Sequence, residues 1–443
     1  MKDKWALAST PPMGWTSYDC FGGKVSEEDV KANTDYQAEH LLKYGWEYIV
    51  IDIAWYAEYS AKFPAYPIMY LNMDEYGRVI PSPSLYPSSV DGKGFKPLAD
   101  YIHSKGQKLG IHIMRGIPRA AVEKNLPIFG TNYRAADIAD TSSTCPWWEW
   151  MWGIDASKPG AQEYYDSIMK LYAEWGVDFI KADDTSFPCR ENEPCYADDI
   201  RMISEAIDKC GRDMVLSLSP GPAALSDAET IKKYAHTWRL SADLWDRWSD
   251  VYKNFEYCEQ WNEHRSIGHW CDLDMIPIGK LEIYPGEDFP DHVERMTRLT
   301  RDEQLTMMTL WYFFRSLLMV GANLPENDEW TLSLINNEEV LHIVHNSHSN
   351  RQLYRVDDHV AWVAADDDGN NFLALFNLRD EAGTLKATLE QMELSGTYKL
   401  RDLWQRQDLG TVDTEVTADI PAHGVKLFKL TPARHAELDS ASI

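Results

Sequence analysis

The chain has 443 residues, 44% of them hydrophobic, with 43 Lys plus Arg against 70 Asp plus Glu and a formal net charge of −27. That length is too great for one ordinary core and suits two domains. A surface this acidic repels phosphate backbones and anionic lipid, so nucleic acid and membrane are poor partners and a neutral ligand is not discouraged.

Taken in chain order, short apolar runs alternate with amphipathic stretches. Eight strands are predicted: Pro11–Tyr18, Tyr48–Tyr56, Lys108–Met114, Val177–Asp183, Met214–Gly221, His236–Asp243, Cys271–Gly279 and Ser316–Ala322. The helices between them carry their own punctuation. Ser26 to Asp29 reads as a capping box, and the helix it opens stops at Gly45. A second has Pro159 in its first turn and stops at Gly176, and a third stops at Gly211. Eight strand–helix units in series predict an α/β fold of the (β/α)8 barrel type. An open doubly wound sheet would carry a Gly-rich phosphate loop, and the chain has neither GxGxxG nor a P-loop.

Two connections on the strand-to-helix side are long, at residues 57–93 and 115–158. Long loops without structure of their own tend to be functional. The second carries Trp147, Trp148, Trp150 and Trp152, which suit either local packing or a platform for sugar rings. Beyond the barrel the period changes to short alternating segments separated by turn signals such as DDDGNN. An antiparallel β-sandwich is predicted there. The resulting division is a catalytic barrel at 1–335, a sandwich at 336–431 and a disordered tail at 432–443.

Seven cysteines at irregular spacings, without CxxC, predict buried free thiols rather than a zinc site. The first residues lack the apolar stretch of a signal peptide, which predicts a cytoplasmic protein. A homo-oligomer stays open.

Side chains alternate along a strand, so Lys181 and Asp183 share a face. Asp52 ends the second strand, and Arg239 with Asp243 end the sixth. Three acids and two bases thus converge on one barrel mouth. Two opposed carboxylates around a neutral ligand are the equipment of glycoside hydrolysis. Lys181 is expected to keep Asp183 ionised as a nucleophile, and Trp245 and Trp248 to desolvate Asp243 as an acid. Metal-assisted chemistry competes, although two bases in the same mouth disfavour a cation and there is no HExxH. The patch at His342–His348 reads as surface or packing. A sugar-binding protein without catalysis would keep the aromatics and need no opposed carboxylates.

PPMGWTSYDCFG, GWEYIVIDIAWY, WGVDFIKADD, WRLSADLWDRW and DLDMIPIG, in this order, closely resemble successive motifs of the α-galactosidase and α-N-acetylgalactosaminidase family, glycoside hydrolase family 27. The resemblance implies a barrel followed by a β-sandwich, no cofactor and no metal, and retention of anomeric configuration. It implies that Asp183 is the nucleophile and Asp243 the acid/base. Lys181 and Arg239 would bind the sugar, and Asp52 would be the first of a carboxylate pair that reads O4 and O6 of galactose. An oligosaccharide or other glycoside is the implied partner.

Several positions depart from the family pattern. The second member of the carboxylate pair is Ile53, a substitution that favours a galactose-configured sugar lacking the hydroxymethyl group, such as β-L-arabinopyranose. Tyr18 stands where a Trp lines the pocket, and His112 where the third strand carries a Tyr; the resemblance implies that both bind the sugar. Ser219 replaces a glutamate and makes room at C2, as in the N-acetylgalactosaminidases. A terminal α-galactoside is the expected substrate, with the acetamido sugar and the arabinopyranoside as alternatives.

Overall fold

In the computed structural model the described residues are 4–60, 68–186, 195–284 and 293–433. The chain divides into two compact units. One is Met1–Asp250, Glu263–Arg298 and Ser316–Leu332; the other is Val251–Asn262, Leu299–Arg315 and Ser333–Ile443.

Eight strands order the first unit: β1 (Met13–Thr16), β2 (Tyr48–Ile51), β3 (Lys108–Met114), β4 (Phe179–Asp183), β5 (Val215–Ser219), β6 (Thr237–Arg239), β7 (Trp270–Asp272) and β8 (Leu318–Val320). They form one parallel sheet in the order β7-β6-β5-β4-β3-β2-β1-β8. The two ends meet. Leu317 N donates to Cys271 O at 3.0 Å, Ile276 N donates to Met319 O at 2.8 Å, and Ile276 bridges Val320 in parallel. The fold is therefore the predicted (β/α)8 barrel.

Period-two alternation decides what fills it. Tyr48 and Val50 of β2 pack with Phe179 of β4, Val215 of β5 and Met319 of β8 in one buried cluster. Two residues further along the same faces come Asp52, Lys181 then Asp183, and Ser217 then Ser219. An apolar floor thus gives way to a polar mouth at the carboxyl ends.

Several strands are shorter than predicted. β2 stops at Ile51, β6 at Arg239 and β7 at Asp272. Extended backbone is broken just beyond β2 and β7, where Ala54 has φ 70° and Asp274 φ 80°. Asp243 accordingly lies on the loop after β6, not at its end.

Helices α1 (Glu27–His40), α2 (Lys96–Ser104), α3 (Ala161–Trp175), α4 (Ala197–Lys209) and α5 (Ala228–Tyr234) follow β1 to β5. The predicted capping box closes on α1: Asp29 N donates to Ser26 Oγ at 3.3 Å and Ser26 N to Asp29 Oδ2 at 2.9 Å. Helix α3 begins after Gly160, so Pro159 precedes its first turn instead of occupying it. It ends at Gly176, whose φ of 90° an L side chain would resist.

Both long connections are structured insertions. The first holds the antiparallel pair Ala57–Tyr59 and Ile68–Leu71, with residues 61–67 outside the described set. The second holds a three-stranded sheet of Ile117–Pro118, Met151–Ile154 and Ala139–Thr144.

The second unit carries β9 (Ser347–Val356), β10 (His359–Asp366), β11 (Asn371–Asn377), β12 (Gly383–Thr388), β13 (Tyr398–Asp402), β14 (Gln407–Val412), β15 (Glu415–Ile420) and β16 (Val425–Pro432). Six form one sheet, β9-β10-β11-β16-β13-β14, and β12 pairs with β15. Leu373, Leu375, Phe428 and Leu430 of the large sheet pack with Leu385, Val416 and Ile420 of the small one. Each such buried side chain contributes about 1.5–3 kcal/mol. The predicted tail, 432–443, lies outside the described set apart from its first two positions, and the first of these, Pro432, still belongs to β16. His342 of the histidine patch packs within this unit, its Nε2 2.9 Å from Asp366 Oδ2.

Of the cysteines, Cys20, Cys145 and Cys271 are buried free thiols as predicted, and Cys258 is buried. Cys195 and Cys210 are free and only half-buried, and Cys189 lies outside the described residues.

Candidate active site

Three aspartates at strand ends are built alike. Each accepts a hydrogen bond from the next backbone N–H: Ile53 N to Asp52 Oδ1 at 2.7 Å, Asp184 N to Asp183 Oδ1 at 2.7 Å, and Met275 N to Asp274 Oδ1 at 2.9 Å. A left-handed residue follows or coincides in every case: Ala54, Asp184 and Asp274. The turn that ends the strand therefore also fixes the carboxylate.

Asp52 is buried. Its Oδ2 accepts from Lys181 Nζ at 2.8 Å and Thr16 Oγ1 at 3.3 Å. Burial pushes its carboxyl up, but the Lys181 ammonium and the His112 ring outweigh that and hold it at about 2. Asp183 has a different partner. Its Oδ2 lies 3.1 Å from His112 Nε2, and His112 sits directly across the β3–β4 register from Lys181. Burial raises the Asp183 carboxyl; the hydrogen bond and field of His112, then Arg239 and Lys181, bring it below the usual range. The expected effect of Lys181 on Asp183 is present, ranked behind those of His112 and Arg239. Lys181 pairs with Asp52 and reaches Asp183 only as a weaker field, because its ammonium is taken by the nearer, more deeply buried acid.

Arg239 is buried on β6. Its Nη1 lies 2.8 Å from Asp243 Oδ1 and 3.6 Å from Asp274 Oδ1. The Asp243 side chain is 64% exposed, against 17% for Asp183. The expected desolvation by Trp245 and Trp248 is corrected: the loop after β6 holds Asp243 out in water on its guanidinium partner, and both Trp are half-buried.

Ser219 is buried directly opposite Asp183 in the β4–β5 register, and its Oγ has no hydrogen-bond partner among the described residues. Tyr18 is half-buried at the mouth. Burial, then Asp243 and Asp52, raise its phenol above the ordinary value. Ile53 is 9% exposed beside Asp52. All eight predicted side chains belong to the barrel unit, seven on or just past strands β1 to β6 and Asp243 on the following loop.

Sequence reasoning missed a second ring of acids. Asp19 is 1% exposed, and neither of its carboxyl oxygens has a hydrogen-bond partner among the described residues. Its carboxyl packs against Gly321, where an added Cβ would stand 2.1 Å from Oδ2. Burial and Asp274 push Asp19 well up. Asp272 and Asp274 lie together, Asp274 N donating to Asp272 Oδ1 at 2.8 Å, and burial followed by the Asp274 charge raises the Asp272 carboxyl. The DLDM run marked a strand in the sequence without showing that both acids turn inward.

Behind Asp183, Arg115 Nη2 donates to Asp184 Oδ2 at 2.8 Å and stacks 3.7 Å over the Tyr196 ring. Its backbone N donates to Asp183 O at 3.1 Å, so a buried ion pair fastens the end of β4. In the long insertion Trp147 is 44% exposed, while Trp148 is half-buried with its ring 6.2 Å from Tyr56.

A polar barrel mouth with one carboxylate clamped inside and a second at its rim suits a glycoside hydrolase, and comparison with known proteins shows one. Residues 153–346 match the family described as alpha galactosidase A, and residues 356–430 match the alpha galactosidase C-terminal beta sandwich domain. The chain is 49% identical to a family 27 β-L-arabinopyranosidase of Geobacillus stearothermophilus solved with arabinose (TM-score 0.92, 97% of this chain and 99% of that one). It is 47% identical to a proposed α-N-acetylgalactosaminidase of Bacillus halodurans (TM-score 0.86, 96% and 97%). An α-galactosidase of Cyamopsis tetragonoloba is 25% identical over 96% of this chain and 87% of its own length. The chain belongs to glycoside hydrolase family 27.

Proposed function

We propose that this protein is a retaining exo-glycosidase whose preferred substrate is a terminal β-L-arabinopyranoside, with the terminal α-D-galactoside as its second substrate. The observation that carries the choice is Ile53. Asp52 alone remains to accept from an axial hydroxyl, and the neighbouring position is a buried aliphatic side chain instead of a second acid. A hydrogen bond to a charged group contributes about 1.5–3 kcal/mol. A sugar with a hydroxymethyl group forgoes one here, and a sugar without it loses nothing. The similarity to an arabinopyranosidase supports the same reading.

In the proposed reaction an Asp183 oxygen attacks the anomeric carbon as its bond to the leaving oxygen breaks, and Asp243 gives that oxygen a proton. Asp243 then takes a proton from water. The water oxygen bonds to the anomeric carbon, and Asp183 departs as a carboxylate. Lys181 and Arg239 hold ring hydroxyls. The orphaned Ser219 hydroxyl faces the C2 substituent, and its small size admits an acetamido group.

Hydrolysis of nitrophenyl β-L-arabinopyranoside, α-galactoside and α-N-acetylgalactosaminide tests the choice. The expected order of kcat/KM places the arabinopyranoside first. An α-galactoside preferred by tenfold or more would overturn it, and sugar binding without turnover of any of the three would point to a lectin-like protein.

A further inference from the structure

His112 is expected from the family resemblance to face the sugar. Its geometry is different. The His112 side chain is 0% exposed, whereas that of Asp183 is 17% exposed. A ring with no reach to the mouth does not touch a substrate that Asp183 can touch. One nitrogen, Nε2, lies 3.1 Å from Asp183 Oδ2, and a carboxylate oxygen only accepts, which puts a proton on Nε2. The other nitrogen, Nδ1, is buried without a hydrogen-bond partner among the described residues. The strand beneath the ring is held too: Trp55 Nε1 donates to the backbone carbonyl of His112 at 2.8 Å.

We infer that His112 is a positioning residue for the nucleophile: Nε2–H pins Asp183 Oδ2 while the backbone N–H of Asp184 pins Oδ1, so the carboxylate meets the anomeric carbon in one orientation. This rests on the reading of Asp183 as nucleophile. The clamp is two-sided and uses both oxygens. The charge-assisted bond from His112 is strong while Asp183 is an anion and weakens when Asp183 becomes an ester. His112 therefore also favours the return of the carboxylate when the glycosyl–enzyme is hydrolysed. The charged groups that share this space are Asp52 beyond β2, Lys181 on β4 and Arg239 on β6, and all of them remain when His112 is replaced. The His112 ring also bears on Asp52, so it is the donor variants, set against Leu, that isolate the hydrogen bond to Asp183.

The test compares His112→Leu with His112→Gln and His112→Tyr, each checked for folding by circular dichroism. Leu removes the donor; Gln and Tyr can supply one. His112→Leu is expected to lower kcat by roughly tenfold to a hundredfold with KM within about twofold, since the contact is made to Asp183 and not to sugar. The acid limb of kcat/KM moves to higher pH, because Asp183 loses the first of the groups that favour its anion. At least one of Gln and Tyr recovers most of the rate. A rise in KM at unchanged kcat would make His112 a sugar ligand and overturn the inference, as would an unmoved acid limb or donor variants no better than Leu. Asp183→Ala with added azide separates the two layers. Azide that fails to restore turnover removes the nucleophile reading itself. Azide that restores it, beside His112 variants that behave alike, removes only the positioning role.

Discussion

Lys181 Nζ lies 2.8 Å from Asp52 Oδ2, and this pair, not a pair with Asp183, is the central ion pair of the mouth. Both side chains are largely buried, at 14% and 4% exposed. Breaking such a pair by removing one partner costs about 3–5 kcal/mol, because the other charge is left buried alone. Lys181→Met should therefore lower stability by that order and abolish turnover. Urea unfolding beside activity checks both, and a variant as stable as the parent would contradict the pairing.

The same pair sets an acid limit. Asp52 is held at about 2 in the folded protein, below its ordinary 3.8. A carboxyl lowered by folding adds stability above its unfolded value and loses it as pH falls through the folded one. The Asp52 contribution should therefore fade between about pH 4 and pH 2. Comparing the pH dependence of unfolding for the parent and Asp52→Asn in that window isolates it; parallel curves would refute the assignment.

Asp19 has the opposite sign. Burial, with Asp274 beside it, raises its carboxyl well above the ordinary value. The unfolded chain releases this proton near pH 4 while the folded protein keeps it, so Asp19 costs stability increasingly as pH rises. Asp19→Asn should match the parent at low pH and exceed it at neutral and alkaline pH, as read by denaturant midpoints. A less stable Asn variant at pH 8 would show that the carboxylate is paired. Gly321→Ala, which pushes a methyl group into that same carboxyl, should cost about 1–3 kcal/mol.

Ile53→Asp restores the second acid of the pair. It should raise kcat/KM on the α-galactoside relative to the arabinopyranoside by roughly tenfold to a hundredfold, the value of one hydrogen bond to a charged group. An unchanged ratio would remove Ile53 from the specificity argument.

Much of this was legible before any coordinates. β3 runs over the residues its periodicity predicts, Lys108–Met114, and the alternation that put Lys181 and Asp183 on one face holds. The gathering of polar side chains at strand ends was legible for the same reason. What the alternation could not show is pairing across strands. Lys181 and Asp183 are neighbours in sequence, yet Lys181 bonds Asp52 and Asp183 bonds His112. Hydration was equally hidden, since the Trp residues beside Asp243 in sequence do not cover it. Asp19 reads as one polar residue in a loop until Gly321 is seen against it. In the sandwich, β14 carries no signal in the sequence, because its residues are almost all exposed and show no apolar alternation.

The central claim is that Asp183 forms a covalent bond to the sugar. Inactivation with a fluorosugar that traps the glycosyl–enzyme, followed by peptide mass spectrometry, tests it most directly. The label is expected on Asp183, within the peptide that follows Lys181. A label on Asp243 or on any other carboxylate would contradict the account, as would turnover that yields the inverted anomer with no trapped species.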